Sequence, residues 1–486
     1  MPLPDHKTKI VATIGPASES PQMLERLIRA GLDIARLNFS HGDFIGHAER
    51  IARIRAAEKV TGRRVAIMAD LPGPKMRVGK IEPEPIHLRP GESFTLTSED
   101  IVGSHLRASM SFDRLAAVVT PGDRLFLNDG LVQLVVEGVT GHDVLCKVAV
   151  GGELRSKKGL NLAGIDLGIS AFTDHDRACL AFALENGVDA VSQSFVETAA
   201  DIEAVRTAAK AIGRQPFIIA KIERYDALQH FDEILNAADG IMVARGDLGV
   251  EVPIERIAMI QKQLISRASR VGKPVITATQ LLESMTTSRL PTRAESTDVA
   301  NAILDGTDCV MLSGESAMGK YPEEAVEMLA KIAAYTEAHR PPTRLNHPSA
   351  IASQPPATPA EAIASVVEHA LATVPFAAVF VPTRSGTTAR MISRFKPSVW
   401  IVALSHDESV CQSLAFSYGV HSVQLGREPE NWRDFARQWL TEHQLPGGLA
   451  MLAAGPSTHS PDANHRLEFL RVGEQQFPAK LRTTPK

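Results

Sequence analysis

Short apolar runs recur along the first two thirds of the chain, and each stops at polar or charged residues. Runs of this kind suit strands of a parallel sheet buried on both faces. Between them, apolar residues recur at the spacing of a covering helix. The clearest instance is residues 217–253, FIIAKIERYDALQHFDEILNAADGIMVARGDLGVEVP. Phe217–Ile222 and Gly240–Ala244 read as strands, and Leu228, Phe231, Ile234 and Leu235 between them as one helix. In extended chain, side chains two apart share a face. Lys221 therefore points with Glu223, and Arg245 with Asp247.

The same alternation runs through the chain from its start. Lys9–Ile14 is a strand stopping at Gly15-Pro16, and a helix bearing Leu24, Leu27 and Ile28 is closed by Gly31. Ile34–Phe39 ends with Arg36, Asn38 and Ser40 on one face, and Val65–Leu71 carries Asp70 near its end. The pattern then breaks. Residues 78–160 alternate apolar and polar positions, and Asn128-Asp129-Gly130 is a tight-turn sequence. They read as a small inserted β domain, flanked by Gly73-Pro74, Gly79, Gly159 and Gly164, and suited to a hinged lid. Strands Ala190–Phe195, Phe217–Ile222, Gly240–Ala244, Pro274–Thr279 and Cys309–Leu312 resume the series. Eight strands with intervening helices predict a (β/α)8 TIM barrel, split between residues 1–77 and 161–340. Residues 341–360, rich in Pro, Ser and Ala, read as a linker. Residues 361–486, with strands Ala377–Val381 and Trp400–Leu404, read as a C-terminal doubly wound α/β domain.

Polar residues fall where this fold places chemistry. Asn38, Asp70, Lys221, Glu223, Asp247, Thr279, Ser313 and Glu315 all lie at predicted carboxyl ends of strands. Two carboxylates beside a lysine can hold a hard divalent cation such as Mg²⁺, which takes oxygen ligands. A salt-bridged strand end is the plainer alternative.

Composition narrows the class. The chain has 44% hydrophobic and 22% charged residues, as ordinary globular proteins do. Its net charge of −4 gives no reason to expect nucleic acid or an anionic membrane as partner. Cys146, Cys179, Cys309 and Cys411 form no CxxC pair and read as free thiols. The N-terminal stretch lacks the apolar core of a signal peptide, and no apolar run reaches membrane-span length. A cytoplasmic protein is expected.

Several stretches carry a family resemblance: TKIVATIGPAS, ARLNFSHG, SKKGLNLAG, AKIE, DGIMVARGDLGVEVP, GKPVITATQLLESM, PTRAES, TDVANAILDGTDCVMLSGES and YPEEAV. In their order and spacing the chain resembles the pyruvate kinases over almost its full length. The resemblance implies phosphoryl transfer from phosphoenolpyruvate to ADP, giving pyruvate and ATP, a reaction that asks mainly for positioning and charge neutralisation. It implies that Glu223 and Asp247 hold Mg²⁺, with Mn²⁺ as a substitute. Lys221 is implied to neutralise the transferring phosphoryl group and the enolate oxygen, and Arg36 to bind phosphate. Gly246 is implied to lie where the substrate carboxylate approaches a helix start. Thr279 lies near the face where the enolate is protonated, as donor or as a group ordering a water. Arg77 and Lys158 match residues reaching the nucleotide phosphates, with Asn38 and His41 beside them; for His41 a structural role weighs equally. Ser313 and Glu315 match a family motif as support.

One departure changes the picture. Where the commoner family pattern reads Asp-Thr-Lys-Gly-Pro-Glu, this chain reads Asp70-Leu71-Pro72-Gly73-Pro74-Lys75. In the common pattern the Asp, the Thr, and the Asn and Ser matching Asn38 and Ser40 hold a K⁺ ion. An ammonium can take the charge role of that ion, so activity without added K⁺ is expected. Arg224 and Ser296 also stand where the family often has Asn and Gly. Gly314–Lys320 imitates a phosphate-binding loop, but Tyr321 occupies the Ser/Thr position, and it reads as a false match. Thr383-Arg384-Ser385-Gly386-Thr387-Thr388 matches the loop that holds a regulatory sugar phosphate in the family; a plain capped turn is the alternative. A sugar-phosphate or nucleotide effector and a homotetramer are implied by resemblance alone. Two other classes stay open: a different Mg²⁺-dependent barrel enzyme acting on an enolate, such as an aldolase or lyase, and a non-catalytic sensor of the same fold.

Overall fold

The computed structural model describes residues 2–165, 167–340, 358–455 and 465–473. Most of the expected linker, residues 341–357, lies outside them. Eight parallel strands close into a barrel: β1 (Lys9–Thr13), β2 (Leu32–Asn38), β3 (Ala66–Leu71), β4 (Ala190–Gln193), β5 (Phe217–Ile222), β6 (Gly240–Ala244), β7 (Val275–Ala278) and β8 (Cys309–Leu312). Their neighbours run β1-β8-β7-β6-β5-β4-β3-β2, so the TIM barrel is complete. Side chains alternate across each strand. Val11, Ile34, Met68, Ile219, Met242, Ile276 and Met311 fill the interior. Ile10, Leu37, Ile67, Ile218, Ile241 and Val310 face the outer helices.

Local signals explain the helices. Ser20 caps the helix Pro21–Ala30, with Pro at its start and Gly31 at its end. A Thr173–Asp176 capping box opens the helix Asp174–Glu185. The stretch between β5 and β6 is not the single expected helix. It forms two short ones, Tyr225–Gln229 and Phe231–Ala237, meeting at His230.

Between β3 and β4 the chain forms a β-rich unit, with one six-stranded and one two-stranded sheet around its own core of Phe94, Leu125, Val132 and Leu134. Asn128, Asp129 and Gly130 all take positive φ in the turn between strands Arg124–Leu127 and Val132–Thr140. The C-terminal unit is a five-stranded sheet with β9 (Phe376–Pro382) at its centre. β10 (Trp400–Ser405) and β11 (Val420–Gln424) lie on one side, and β12 (Leu449–Ala454) with antiparallel β13 (Arg466–Arg471) on the other. Among the described residues no helix is long and apolar enough to cross a membrane.

Candidate active site

The carboxyl ends of β2 to β5 bring a buried charge network together. Lys221 Nζ lies 3.4 Å from Asp70 Oδ1 and 3.3 Å from Glu223 Oε2, and donates to Ser194 Oγ at 2.6 Å. Asp70 is fully engaged. Arg36 binds its Oδ2, and the Ser192 hydroxyl donates to its Oδ1 at 2.6 Å. Arg36 also donates to Thr13 Oγ1 at 2.7 Å. Burial alone would raise the Asp70 carboxyl, but Arg36, Lys221 and the Ser192 hydroxyl hold it well below the usual carboxylate range. Burial likewise opposes the Lys221 charge, yet Asp70 and Glu223 prevail and raise it.

Glu223 is the exposed side of this balance in energy, though not in surface. Its Oε1 accepts the Phe195 N–H at 2.7 Å, while its buried Oε2 has no hydrogen-bond partner. Burial pushes its carboxyl up to about 7; Lys221 pulls it back and Asp247 pushes it further up. Asp247 reaches the site differently from the sequence expectation. Arg245 and Asp247 do not share a face of extended chain, because a helix, Arg245–Glu251, begins immediately after β6. Arg245 turns away to Asp298 at 2.7 Å and to the Thr279 carbonyl at 2.8 Å, leaving Asp247 in the first helical turn.

Thr279, just past β7, has φ 68° and is followed by Gln280 at φ 54°, a backbone region that L-residues seldom adopt. Its hydroxyl accepts the Gly246 N–H at 2.7 Å. The turn is held by Glu315, which is buried and accepts the N–H groups of Leu282 at 3.1 Å and Ser313 at 2.8 Å. Ser313 and Glu315 thus support the loop that carries Thr279.

A divalent cation fits this donor set. Glu223 offers a buried carboxylate oxygen that accepts no hydrogen bond, with the Lys221 ammonium 3.3 Å away, and its charge is disfavoured by burial and by the neighbouring Asp247 anion. Among the described residues no group of three or more His, Cys, Asp or Glu forms a metal cage. Two carboxylates suffice for Mg²⁺, which keeps waters and takes substrate oxygens.

Similarity to known proteins places the chain in a family. The family description "Pyruvate kinase, barrel domain" matches residues 5–326, and "Pyruvate kinase, alpha/beta domain" matches residues 361–461. The chain belongs to the pyruvate kinase family. It is 51% identical over 423 residues to a pyruvate kinase of Thermococcus litoralis, covering 87% of this chain and 89% of that protein. It is 43% identical to one from Geobacillus stearothermophilus, covering 86% and 71%. Its fold matches a crystal structure of a pyruvate kinase from Cryptosporidium parvum with TM-score 0.89 and 35% identity, covering 96% of this chain and 97% of that one. As a pyruvate kinase it is a phosphotransferase.

Around this centre the pyruvate kinase chain gathers further cations. Lys75 is exposed at the cleft mouth. Its ammonium is disfavoured by partial burial and by Lys221, and favoured by Asp70, Glu223 and Asp247. The His41 imidazole sits below its ordinary value through desolvation, then through Lys75, Arg77 and Arg36. Those residues therefore share one field. Asn38 Oδ1 accepts the Ser40 N–H at 3.0 Å. The Leu71 side chain packs in the outer apolar core, and its carbonyl accepts the Ser194 hydroxyl at 2.7 Å. Arg77 donates to the Lys157 carbonyl at 2.9 Å, and the Lys158 carbonyl accepts from Val78. Among the described residues no ion pair joins Arg77 or Lys158 to the Lys221 network. Ser192, Ser194 and Thr13 were not singled out by the sequence; Ser192 and Ser194, two apart on one face of AVSQSF, were the available signal. In the C-terminal unit, Thr383 Oγ1 accepts the Gly386 N–H at 2.8 Å, and the Ser385 and Thr387 hydroxyls bond each other at 2.9 Å.

Proposed function

We propose that this pyruvate kinase transfers the phosphoryl group of phosphoenolpyruvate to ADP at the mouth formed by β2 to β7. One observation carries the reading: Lys221 is held between Asp70 and Glu223, while the Glu223 oxygen it approaches accepts no hydrogen bond and the nearby Asp247 charge pushes that carboxyl up. Glu223 and Asp247 would hold Mg²⁺ or Mn²⁺, which when bound neutralises phosphate and enolate oxygens. Lys221, kept charged by its two carboxylates, faces the transferring phosphoryl group, and Arg36 holds the phosphate from β2. Thr279 and Gly246 border the face where the enolate takes its proton. Arg77, Lys158, Asn38 and His41 serve the nucleotide. A coupled assay tests this: activity requires both ADP and a divalent cation, and Lys221→Met lowers kcat by about 10²–10³-fold or more, the scale for losing a group that stabilises transition-state charge. Pyruvate release without ADP would favour a lyase instead.

Lys75 replaces K⁺ in this reading. Both Asp70 oxygens are occupied by Arg36, Ser192 and Lys221, and Leu71 supplies no side-chain oxygen. In this reading the Lys75 ammonium takes the charge role of the monovalent site matched by Asn38, Ser40, Asp70 and Leu71. At ~4 Å from a phosphate charge, such a cation contributes roughly 4 kcal/mol at an effective dielectric of 20. Full activity is expected in K⁺-free buffer with a bulky organic counter-ion, and Lys75→Glu should make activity depend on added K⁺.

The loop Thr383–Thr388 is read as a regulatory phosphate site. It borders a cavity of about 400 Å³ between barrel and C-terminal unit, lined by Ser385, Thr387 and Arg390 together with Arg206 and Lys273. Burial disfavours the charges of Lys273 and Arg390, Asp239 in the cavity wall offsets this only in part, and an anion there would relieve both further. Titration with sugar phosphates and nucleotides should shift the phosphoenolpyruvate dependence, and Ser385→Ala should abolish the shift. Unchanged kinetics with all of them would reject it. A homotetramer in the cytoplasm completes the reading, and light scattering on the purified protein tests the assembly.

A further inference from the structure

Arg224 directly follows Glu223 and is among the largest fully buried side chains of the protein, with 1% of its side chain exposed. Four segments converge on it. Its guanidinium lies 3.2 Å from Glu197, in the loop after β4, and 3.9 Å from Asp226, which begins the chain beyond β5. It lies 3.9 Å from Glu251, the last residue of the helix that carries Asp247 in its first turn. It donates to the Ile165 carbonyl at 3.0 Å. Ile165 belongs to the segment returning from the β-rich unit, and its side chain packs in that unit's own core.

A buried guanidinium costs much to desolvate, and the carboxylates around it offset that cost only in one geometry. Arg224 is therefore a rigid junction, with a planar fork that contacts several partners at once. Its backbone is tied to Glu223, and its guanidinium faces Glu251 at the far end of the Asp247 helix at 3.9 Å, a charge contact without a hydrogen bond. The Arg224 side chain thus adds a second tie between the two carboxylates, beside the direct pairing of β5 with β6. The same side chain holds the β-rich unit by a backbone carbonyl.

We propose that Arg224 is a positioning residue that sets the Glu223–Asp247 spacing and couples it to the docking of the β-rich unit, so that cation affinity depends on the Leu160–Ile165 segment being in place. This inference rests on the assignment of Glu223 and Asp247 to a divalent cation. Lysine keeps the charge at position 224 but is a point charge on a flexible stem and cannot bridge the same partners. Glu251→Gln keeps the shape of the junction and removes the charge that anchors the helix end.

The test measures Mn²⁺ binding to the purified full chain by electron paramagnetic resonance, without substrates, and follows amide exchange over Leu160–Ile165 with and without Mn²⁺. Wild type should bind Mn²⁺ and lose exchange rate in that segment on binding, and Glu223→Gln should abolish both. Arg224→Lys and Glu251→Gln should each weaken Mn²⁺ binding at least fivefold and uncouple segment exchange from the metal. A smaller change in affinity, or protection of the segment equal to wild type, overturns the proposal. If Arg224→Lys does not fold, Glu251→Gln decides. If wild type binds Mn²⁺ no better than Glu223→Gln, the metal assignment itself fails, which is a separate result.

Discussion

At the scale of single residues, the site divides into charges that stabilise the fold and one that does not. Asp70 is bound by Arg36, Lys221 and Ser192. Removing one member of such a buried network leaves its partners uncompensated, so Asp70→Asn should cost roughly 3–5 kcal/mol in urea unfolding. The pH dependence has a definite sign. The folded-state value is depressed below the ordinary 3.8, so this stabilisation is present above that value and is lost as pH falls through the folded one. Wild type should therefore lose stability steeply in acid, and Asp70→Asn should lose less over the same range. Glu223 behaves oppositely. Its burial is only partly compensated, and Gln retains an oxygen for the Phe195 N–H. Glu223→Gln should melt at or above the wild-type temperature in chelator while kcat falls about 10²–10³-fold or more. A clear drop in melting temperature would mean that the Lys221 pairing outweighs the desolvation.

Elements position these residues through their ends. Gly73, in the turn after β3, has φ 65°, and its N–H bonds the Asp176 carboxylate at 2.9 Å. A Cβ there would lie 2.8 Å from Phe195 Cδ2, so the turn that carries Lys75 has no room for one. Gly62 has φ 67° and open space around it. Both Gly→Ala changes put alanine in a left-handed backbone, costing on the order of 1 kcal/mol or more. Only Gly73→Ala should also lower kcat/KM for phosphoenolpyruvate, by about an order of magnitude or more, the scale on which a misplaced site loses rate; Gly62→Ala should leave kinetics unchanged. Steady-state kinetics beside thermal melts separates the two. These turns also show where sequence was legible. Most barrel strands are largely apolar, and a charge that interrupts one, as Lys221 does in FIIAKI and Arg36 in LDIARLN, advertises the site. Periodicity missed the helix Arg245–Glu251, whose start only the family resemblance implied, because GDLGVE, with two glycines, has no helical apolar stripe; its conformation depends on tertiary contacts such as Arg245 with Asp298 and the Thr279 carbonyl. β12 was missed because LAMLAA fits helix and buried strand equally. Ser192 and Ser194 matter through the partners the closed barrel gives them, and no spacing along the chain encodes a partner 122 residues away, as Asp70 is from Ser192.

Across the whole molecule, the C-terminal unit closes the end of the barrel opposite the site. Phe416 joins the barrel's interior cluster and stacks on Phe217, the first residue of β5, with ring centroids 5.3 Å apart. Asp308, at the start of β8, takes Lys396 at 2.6 Å and the Tyr418 N–H at 3.0 Å. Beside this seam lies a cavity of about 550 Å³ lined by Lys9, Arg63 and Arg64 from the barrel and by His421 and His443 from the C-terminal unit. Asp33, Glu58, Glu408 and Glu442 line it as well, with Asp33 paired to Lys9 and Glu408 to Arg64. Desolvation first, then Lys9, His443, Arg63 and Arg64, push the His421 imidazole down to about 3 from an ordinary 6.5. The unfolded chain takes up this proton below about 6.5 and the folded chain does not until about 3. Stability from this group is thus complete above the upper value and drains away as pH falls toward the lower one. His421→Gln removes the titration and keeps a polar side chain against Trp439. Melting temperatures at several pH values between 7.5 and 4 should show the wild type falling more steeply than the variant. A gap between the two proteins that stays constant with pH would show that the seam is insensitive to this proton.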